Sequence, residues 1–338
     1  MTHKKITAIA LFSGGLDSTL ACRVVADQGI RVVAVRFVTP FFGYDLLARK
    51  DEYIRHMKEK FGIDVIVKDI TKPYLELLKK PAHGFGKYFN PCIDCKIFLL
   101  AEARRMMPEF DASFLVTGEI IGQRPMSQRR DTLRVIERDS GCEGILVRPL
   151  CARNLEPTQA ERSGLVDRER LLAFSGRSRK PQIELAAQLG ITDYPSPAGG
   201  CILADPILSE RIRKYYRQAK KIVKEDILLL MVGRQFKLPW GGWLVIGRDQ
   251  QENEKIAALQ QPSDWFLQTS IIPGPTAILR HSRKMAEVEA AAGLVARFSK
   301  KSALIEGTAL INAEYKGTLR EIEATVLADP IFQQWAQR

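Results

Sequence analysis

The sequence predicts an α/β protein: a parallel-sheet domain followed by a smaller α+β domain. Three observations carry this. Apolar, β-branched runs alternate with helical stretches through the first part of the chain, the pattern of a parallel sheet joined by right-handed crossovers. Beyond about residue 225 the texture changes to short β-like runs separated by glycine turns. A chain of 338 residues also exceeds the ~100–200 residues of one ordinary domain. The expected division is 1–205, a basic linking helix at 206–225, and 226–338.

ITAIALF (6–12) is a continuous apolar run suited to a buried strand. After SGGLDS the chain becomes helical, with Leu20, Val24 and Val25 on one face. RVVAVRFV (31–38) is the second strand, followed by the loop TPFFGYD, a helix over 46–60 and a third strand, DVIVKDI (64–70). A helix through FLLAEARRMM (98–107) leads to the strands SFLVTG (113–118) and GILVRPL (144–150). Helices are expected at 167–174 and 180–189, then a Pro-Ser-Pro-Ala-Gly-Gly turn. LSERIRKYYRQAKKIVK (208–224) predicts one amphipathic helix, with Ile212, Tyr215, Ala219 and Ile222 on one face. Arg213, Arg217, Lys220 and Lys224 line another face. ILLLMVGRQFKLP, GGWLVIGRD and WFLQTSIIPGPTAILR then read as β-like.

Composition narrows the class. Apolar residues make up 46% and charged residues 27%, as in ordinary globular proteins, and no apolar run reaches the ~18 residues of a membrane span. MTHKKITAIALFSGG meets glycines too early for a signal peptide, so a cytoplasmic protein is expected. Six cysteines are too few for a disulfide framework, and clustered ones suggest metal or redox chemistry. A net charge of +12 favours a polyanionic partner.

The glycine-rich loop lies between the first strand and first helix. Ser13, Gly14, Gly15, Ser18 and Thr19 can cradle an anion with backbone N–H groups and hydroxyls. The lysine of a Walker loop is absent. Asp17 would repel bare phosphate, but suits a Mg²⁺ ion that neutralises one. A glycine pair alone would be an ordinary strand–turn–helix. The whole string SGGLDS resembles the PP-loop of the ATP pyrophosphatases, whose fold is adenine nucleotide alpha hydrolase-like. That resemblance implies that the loop holds pyrophosphate while AMP passes to an acceptor oxygen.

TGEIIGQRPMSQ (117–128) suggests the acceptor. Its TGE-x-x-GQ…SQ pattern resembles the ThiI family of tRNA 4-thiouridine synthetases, whereas wobble 2-thiouridylases usually carry TGH. GILVRPL resembles the next strand of that family, and VRFVTPFFG its adenine-side loop. The likeness covers roughly 1–205. It implies a nucleotide and uridine site lined by Phe37, Gly118, Glu119, Gln123 and Gln128, with ATP, Mg²⁺ and tRNA as ligands. ThiI proteins carry a THUMP domain and some a rhodanese domain. Neither is expected here, so RNA grip and sulfur delivery must come from elsewhere.

Cys92 and Cys95 form a C-x-x-C in NPCIDCK, and Cys201 follows two glycines. Cys22, Cys142 and Cys151 read as core or incidental. Zinc, a persulfide or disulfide couple, and a [4Fe–4S] cluster with three protein ligands all suit the trio. The cluster is the reading adopted, because glycines admit a bulky group and several PP-loop thiolases without a rhodanese domain have a similar cysteine pattern. The catalytic set is then Asp17, Cys92, Cys95 and Cys201, using sulfide or cysteine-desulfurase-derived sulfur.

The final third resembles the NFACT-R domain. Gly247, Arg248 and Asn253 match its GR-x-x-x-x-N step, and Trp265, Phe266, Pro273 and Gly274 its W-(F/L)-H-x-x-x-x-PG segment, with Gln268 departing from the usual histidine region. The likeness continues through a helix at 285–304 and implies RNA binding. Arg280, His281, Arg283, Lys284, Lys300 and Lys301 are candidate phosphate contacts, though the Arg213–Lys224 stripe is the stronger candidate. The expected function is ATP-dependent tRNA thiolation giving 4-thiouridine. The alternatives are another uridine position or 2-thiolation, a small-molecule ligase or amidase, and a nucleotide-sensing RNA-binding module.

Overall fold

The computed structural model describes residues 6–195, 200–270, 273–300, 305 and 307–337. They fall into two compact units, Met1–Asp205 and Pro206–Arg338.

The first unit begins β1 (Thr7–Leu11), α1 (Leu16–Ala26), β2 (Arg31–Val38), α2 (Lys50–Phe61) and β3 (Asp64–Asp69). It continues α3 (Thr71–Leu77), α4 (Cys92–Met106), β4 (Phe114–Thr117), α5 (Arg130–Ser140), β5 (Leu146–Val147), α6 (Gln159–Arg162) and α7 (Lys180–Gln188). The sheet order is β3-β2-β1-β4-β5, with every pairing parallel. Ala8, Ile9, Ala34, Val35, Leu115 and Val116 are almost wholly buried, as in a sheet covered on both faces. The chain starts at β1, builds outward to β3, then returns to the other side of β1. The strand order therefore reverses between β1 and β4, and ligands of open α/β sheets bind at such a point.

Several sequence expectations need correction. GILVRPL contributes only Leu146 and Val147 to the ladder. The helix expected at 167–174 is a short 3₁₀ turn at Arg168–Arg170, capped by the Asp167 side chain. Leu172 and Phe174 instead donate backbone N–H groups to Pro149 and Leu150 at 2.8 and 2.9 Å, so tertiary pairing overrides helical spacing. Helix α5 went unread in the sequence, although Leu133 and Ile136 form a buried stripe among arginines. Residues 196–199 of the expected turn lie outside the described residues.

The second unit contains α8 (Pro206–Gln218), α9 (Lys224–Leu230), β6 (Arg234–Lys237), β7 (Trp243–Ile246), α10 (Gln250–Ala258) and β8 (Trp265–Thr269). It ends β9 (Ala277–Arg280), α11 (Met285–Phe298), β10 (Thr308–Tyr315), β11 (Thr318–Thr325), α12 (Asp329–Trp335) and β12 (Ala336–Gln337). Its antiparallel sheet runs β11-β10-β8-β9-β7-β6-β12. Helix α11 buries Val288, Ala291, Leu294 and Val295 in a core shared with Leu244, Leu267, Leu279 and Ile311.

The helix expected over 208–224 is two helices. Between them, Tyr215 Oη donates to Asp226 Oδ2 at 2.8 Å and accepts from the Val223 N–H at 3.2 Å, which satisfies the turn. Lys220 lies in that turn and Lys224 starts α9, so the four-cation stripe is not continuous. The ILLL of the expected β-like run is helical, with Ile227, Leu229 and Leu230 buried. A short apolar run can enter a core as strand or helix, and periodicity alone does not separate them. Helix α11 stops at Phe298 because Ser299 turns extended, rather than continuing to 304.

Candidate active site

The glycine-rich loop leaves the carboxyl end of β1. Gly14 has φ +75°, and a Cβ there would lie 3.0 Å from the Tyr53 hydroxyl, so glycine alone fits without strain. Ser18 Oγ and Thr19 Oγ1 donate to the Gly15 carbonyl at 2.8 and 3.1 Å, while Ser13 N–H donates to Ser18 Oγ at 3.2 Å. The hydroxyls thus knit the loop onto the start of α1. Arg36, on β2, donates to the Ser13 carbonyl. Burial lowers its guanidinium pKa, an effect partly offset by Tyr53 and Asp45.

The TGE string packs directly on this loop. A Cβ on Gly118 would sit 2.5 Å from the Asp17 carbonyl oxygen and 2.7 Å from Ser18 N, so the two walls meet backbone to backbone. Glu119 is 2% exposed and accepts from Arg148 Nε at 3.1 Å and Thr117 Oγ1 at 3.2 Å, with Lys96 Nζ 3.4 Å away. Burial pushes its pKa up, but Lys96 and Arg148 outweigh that and hold the carboxyl below its ordinary range. Asp17 Oδ2 accepts from Gln123 Nε2 at 3.1 Å. Asp17 Oδ1 is buried without a hydrogen-bond partner among the described residues. Gln123 therefore orients the acid. Gln128 is buried and braces the loop, its carbonyl accepting from Gly122 N–H at 2.7 Å.

Cys92 and Cys95 occupy the first turn of α4, and Cys201 precedes a 3₁₀ turn at Ile202–Ala204. All three line a cavity of about 500 Å³ together with Ser13, Asp17, Ser18, Phe37, Gly118, Glu119 and Gln128. Gly14, Gly15 and Thr19 belong to the same loop but not to that cavity's lining. Asn90 Nδ2 donates to Cys92 Sγ at 3.4 Å. Burial pushes the Cys95 thiol up to about 11 against a favourable hydrogen bond with Tyr74, whose own pKa rises well above normal. Among the described residues, no three His, Cys, Asp or Glu side chains converge as a ready site for one metal ion. Cys22 and Cys142 are buried core positions, and Cys151 is buried with its Sγ donating to the Glu119 carbonyl at 3.2 Å.

Sequence reasoning missed Arg36, Tyr74, Lys96, Arg148 and Arg179. Arg179, beside α7, places Nη2 4.0 Å from Asp17 Oδ1. Lys96 follows the C-x-x-C directly and Arg148 interrupts an apolar strand, and a charge in such a run was the available signal.

In the second unit, a Cβ on Gly247 would meet Asn253 Oδ1 at 2.1 Å. Asn253 Oδ1 accepts from Thr276 N–H at 3.0 Å, and its Nδ2 donates to the Gly274 carbonyl at 3.3 Å. These matching residues therefore stitch α10 to the segment before β9. Trp265 stacks on Tyr315 at 4.8 Å between centroids. Arg280 is corrected: it is 1% exposed and paired with Asp226 and Asp264 at 2.6 and 2.7 Å, so it cannot reach phosphate. His281, Arg283, Lys284 and Lys300 are exposed, and Lys301 lies outside the described residues. Among the described residues no helix is long and apolar enough to cross a membrane.

Comparison with known proteins finds likenesses in two stretches of the chain. The ThiI family model (thiamine biosynthesis protein) matches residues 4–157, and the NFACT protein RNA binding domain model matches 233–336. A protein named "Probable tRNA sulfurtransferase" from Thermococcus kodakarensis is 27% identical over 150 residues, covering 44% of this chain and 38% of that protein. The tRNA-specific 2-thiouridylase MnmA 3 of Phocaeicola vulgatus is 30% identical over 111 residues, 28% of each chain. A 4-thiouridine synthetase solved with RNA and ATP shares 20% identity over 66% of this chain and 52% of that one, with a TM-score of 0.38. The chain thus spans well under half the length of the two curated relatives. The chain joins a stretch similar to the ThiI family, at 4–157, to a stretch similar to the NFACT protein RNA binding domain, at 233–336.

Proposed function

We propose that this chain is an ATP-dependent tRNA sulfurtransferase that converts a uridine to 4-thiouridine. The observation that carries this reading is one cavity lined by the glycine-rich loop, Glu119, Cys92, Cys95 and Cys201. Adenylation and sulfur insertion can then share one substrate pose, with no transfer between distant sites.

The loop would hold the β- and γ-phosphates of ATP, with Phe37 lining the cavity toward the adenine side. The uridine carbonyl oxygen attacks the α-phosphorus and pyrophosphate leaves. AMP then leaves as sulfur takes its place on the activated carbon. Asp17, with one buried carboxylate oxygen that has no hydrogen bond among the described residues and Gln123 fixing the other, suits a Mg²⁺ ion on the phosphates. Glu119, kept ionised by Arg148 and Lys96, supplies a fixed acceptor at the cavity wall. Three thiols lining one cavity suit a [4Fe–4S] cluster with three protein ligands. Bound there by Cys92, Cys95 and Cys201, that group would supply a Lewis-acidic iron position for sulfide, itself from free sulfide or a cysteine desulfurase. The second unit would hold tRNA, consistent with its family match and the net charge of +12.

The test is mass spectrometry of tRNA nucleosides from a strain lacking this chain. Loss of 4-thiouridine, restored by the wild type but not by Cys92→Ala, is expected. Loss of a 2-thiouridine instead would move the target and keep the chemistry. An unchanged profile, with no second thiolase present, rejects thiolation. Iron and acid-labile sulfide in anaerobically purified protein, lost in Cys201→Ala, separate the cluster from a persulfide route.

A further inference from the structure

A second and larger cavity of about 940 Å³ is lined by Ser13, Gly14, Gly15 and Asp17 of the glycine-rich loop. Its lining shares Ser13, Asp17, Arg36 and Arg124 with the cysteine-lined cavity but adds Arg177, Arg179 and Lys60, so cations outnumber the acids that line it. Lys60 pairs with Asp193. Arg36 and Arg179 are placed differently, because each carries a buried Nε with no hydrogen-bond partner among the described residues. A buried donor left unmade costs free energy, which a ligand accepting it would recover.

Both guanidiniums are held in position by the fold. Arg36 donates to the Ser13 carbonyl, and a Cβ on Gly43 would come within 3.2 Å of its Nη2, so the side chain passes close against Gly43. Arg179 follows a segment pinned by Phe174 N–H to the Leu150 carbonyl and Gly176 N–H to the Ile121 carbonyl, both at 2.9 Å. That places its Nη2 4.0 Å from Asp17 Oδ1.

Resting on the nucleotide reading above, we propose that Arg36 and Arg179 clamp the pyrophosphate leaving group, taking the place of the lysine this loop lacks. As the acceptor oxygen bonds to the α-phosphorus, the bond from that phosphorus to the bridging oxygen breaks. Its electron pair departs on the pyrophosphate, whose growing negative charge the two guanidiniums meet. Fixed donors aimed where charge develops stabilise the transition state without reorganisation. Planar guanidinium forks also suit phosphate geometry better than one ammonium does.

The test is calorimetric titration of the full chain with Mg²⁺ and, in turn, ATP, inorganic pyrophosphate and AMP. Arg36→Met and Arg179→Met are expected to weaken pyrophosphate and ATP binding by about 10- to 100-fold, as for lost hydrogen bonds to charged groups. AMP affinity should change by less than about threefold, and Arg179→Lys should restore part of the loss. Should Arg36→Met fail to fold, Arg179→Met, on a surface segment, decides alone. Unaltered pyrophosphate affinity in Arg179→Met overturns the clamp. So does a selective loss of tRNA affinity, which would assign the cavity to RNA backbone phosphates. A wild-type chain that binds no ATP would reject the nucleotide reading itself.

Discussion

Glu119 shows how one side chain is shaped by its neighbours. Its carboxylate is buried against Arg148, which also pairs with Glu137, and its pKa is depressed. A carboxyl lowered in the folded state contributes stability above its unfolded pKa of about 4.3, and that contribution is lost as pH falls through the lower folded value. Glu119→Gln should therefore be about 2–4 kcal/mol less stable than wild type at pH 7. The gap should narrow below pH 4, as denaturant titrations at both pH values would show. Stability falling in parallel for the two proteins would mean that this carboxyl does not govern the acid limb. The TGE string singled out Glu119, which the structure places in the cavity lining. Its partners were not legible there, because Lys96 and Arg148 reach it from separate elements.

At the scale of elements, two contacts decide whether the motifs can work. Strand β4 pairs beside β1, which presses Gly118 onto the first turn of α1. Gly118→Ala is expected to cost about 1–3 kcal/mol through overpacking and to weaken ATP binding by tenfold or more. Thermal melting and nucleotide titration measure both, and unaltered ATP affinity would show that the walls can part freely. In the second unit, Arg280 joins β9 to α9 through Asp226 and to the turn before β8 through Asp264. Arg280→Met leaves two buried carboxylates without their cation and should destabilise by about 3–5 kcal/mol. A variant that kept full stability and lost only RNA affinity would contradict that placement. The sequence offered Arg280 as a surface cation because it borders a basic run. Its burial follows from the place of β9 inside the sheet, between β8 and β7, where all four of its residues are covered and Asp226 and Asp264 reach the guanidinium.

For the whole molecule, the expectation concerns electrostatics. A chain of net charge +12 that grips tRNA through phosphates should lose affinity linearly in log–log salt plots. Arg217 and Lys221 are exposed, on α8 and in the turn after it. Replacing both with alanine should lower tRNA affinity across sequences and reduce the slope by about 0.7 to 0.9 per lost contact. Filter binding at several salt concentrations reads this directly, and an unchanged slope would move the RNA contacts elsewhere.

The sequence by itself determined the parallel sheet, the SGGLDS loop, the TGE wall and the cysteine trio. Each is a local pattern: apolar period, glycine where backbone must turn or approach closely, and distinctive short strings. Tertiary structure alone decided which of them meet. The strand order puts β4 next to β1, the chain returns Cys201 to the wall that Cys92 and Cys95 begin, and Tyr215 breaks an apparently continuous helix. Those outcomes depend on contacts between residues far apart in the chain, where burial and pairing outweigh local propensity.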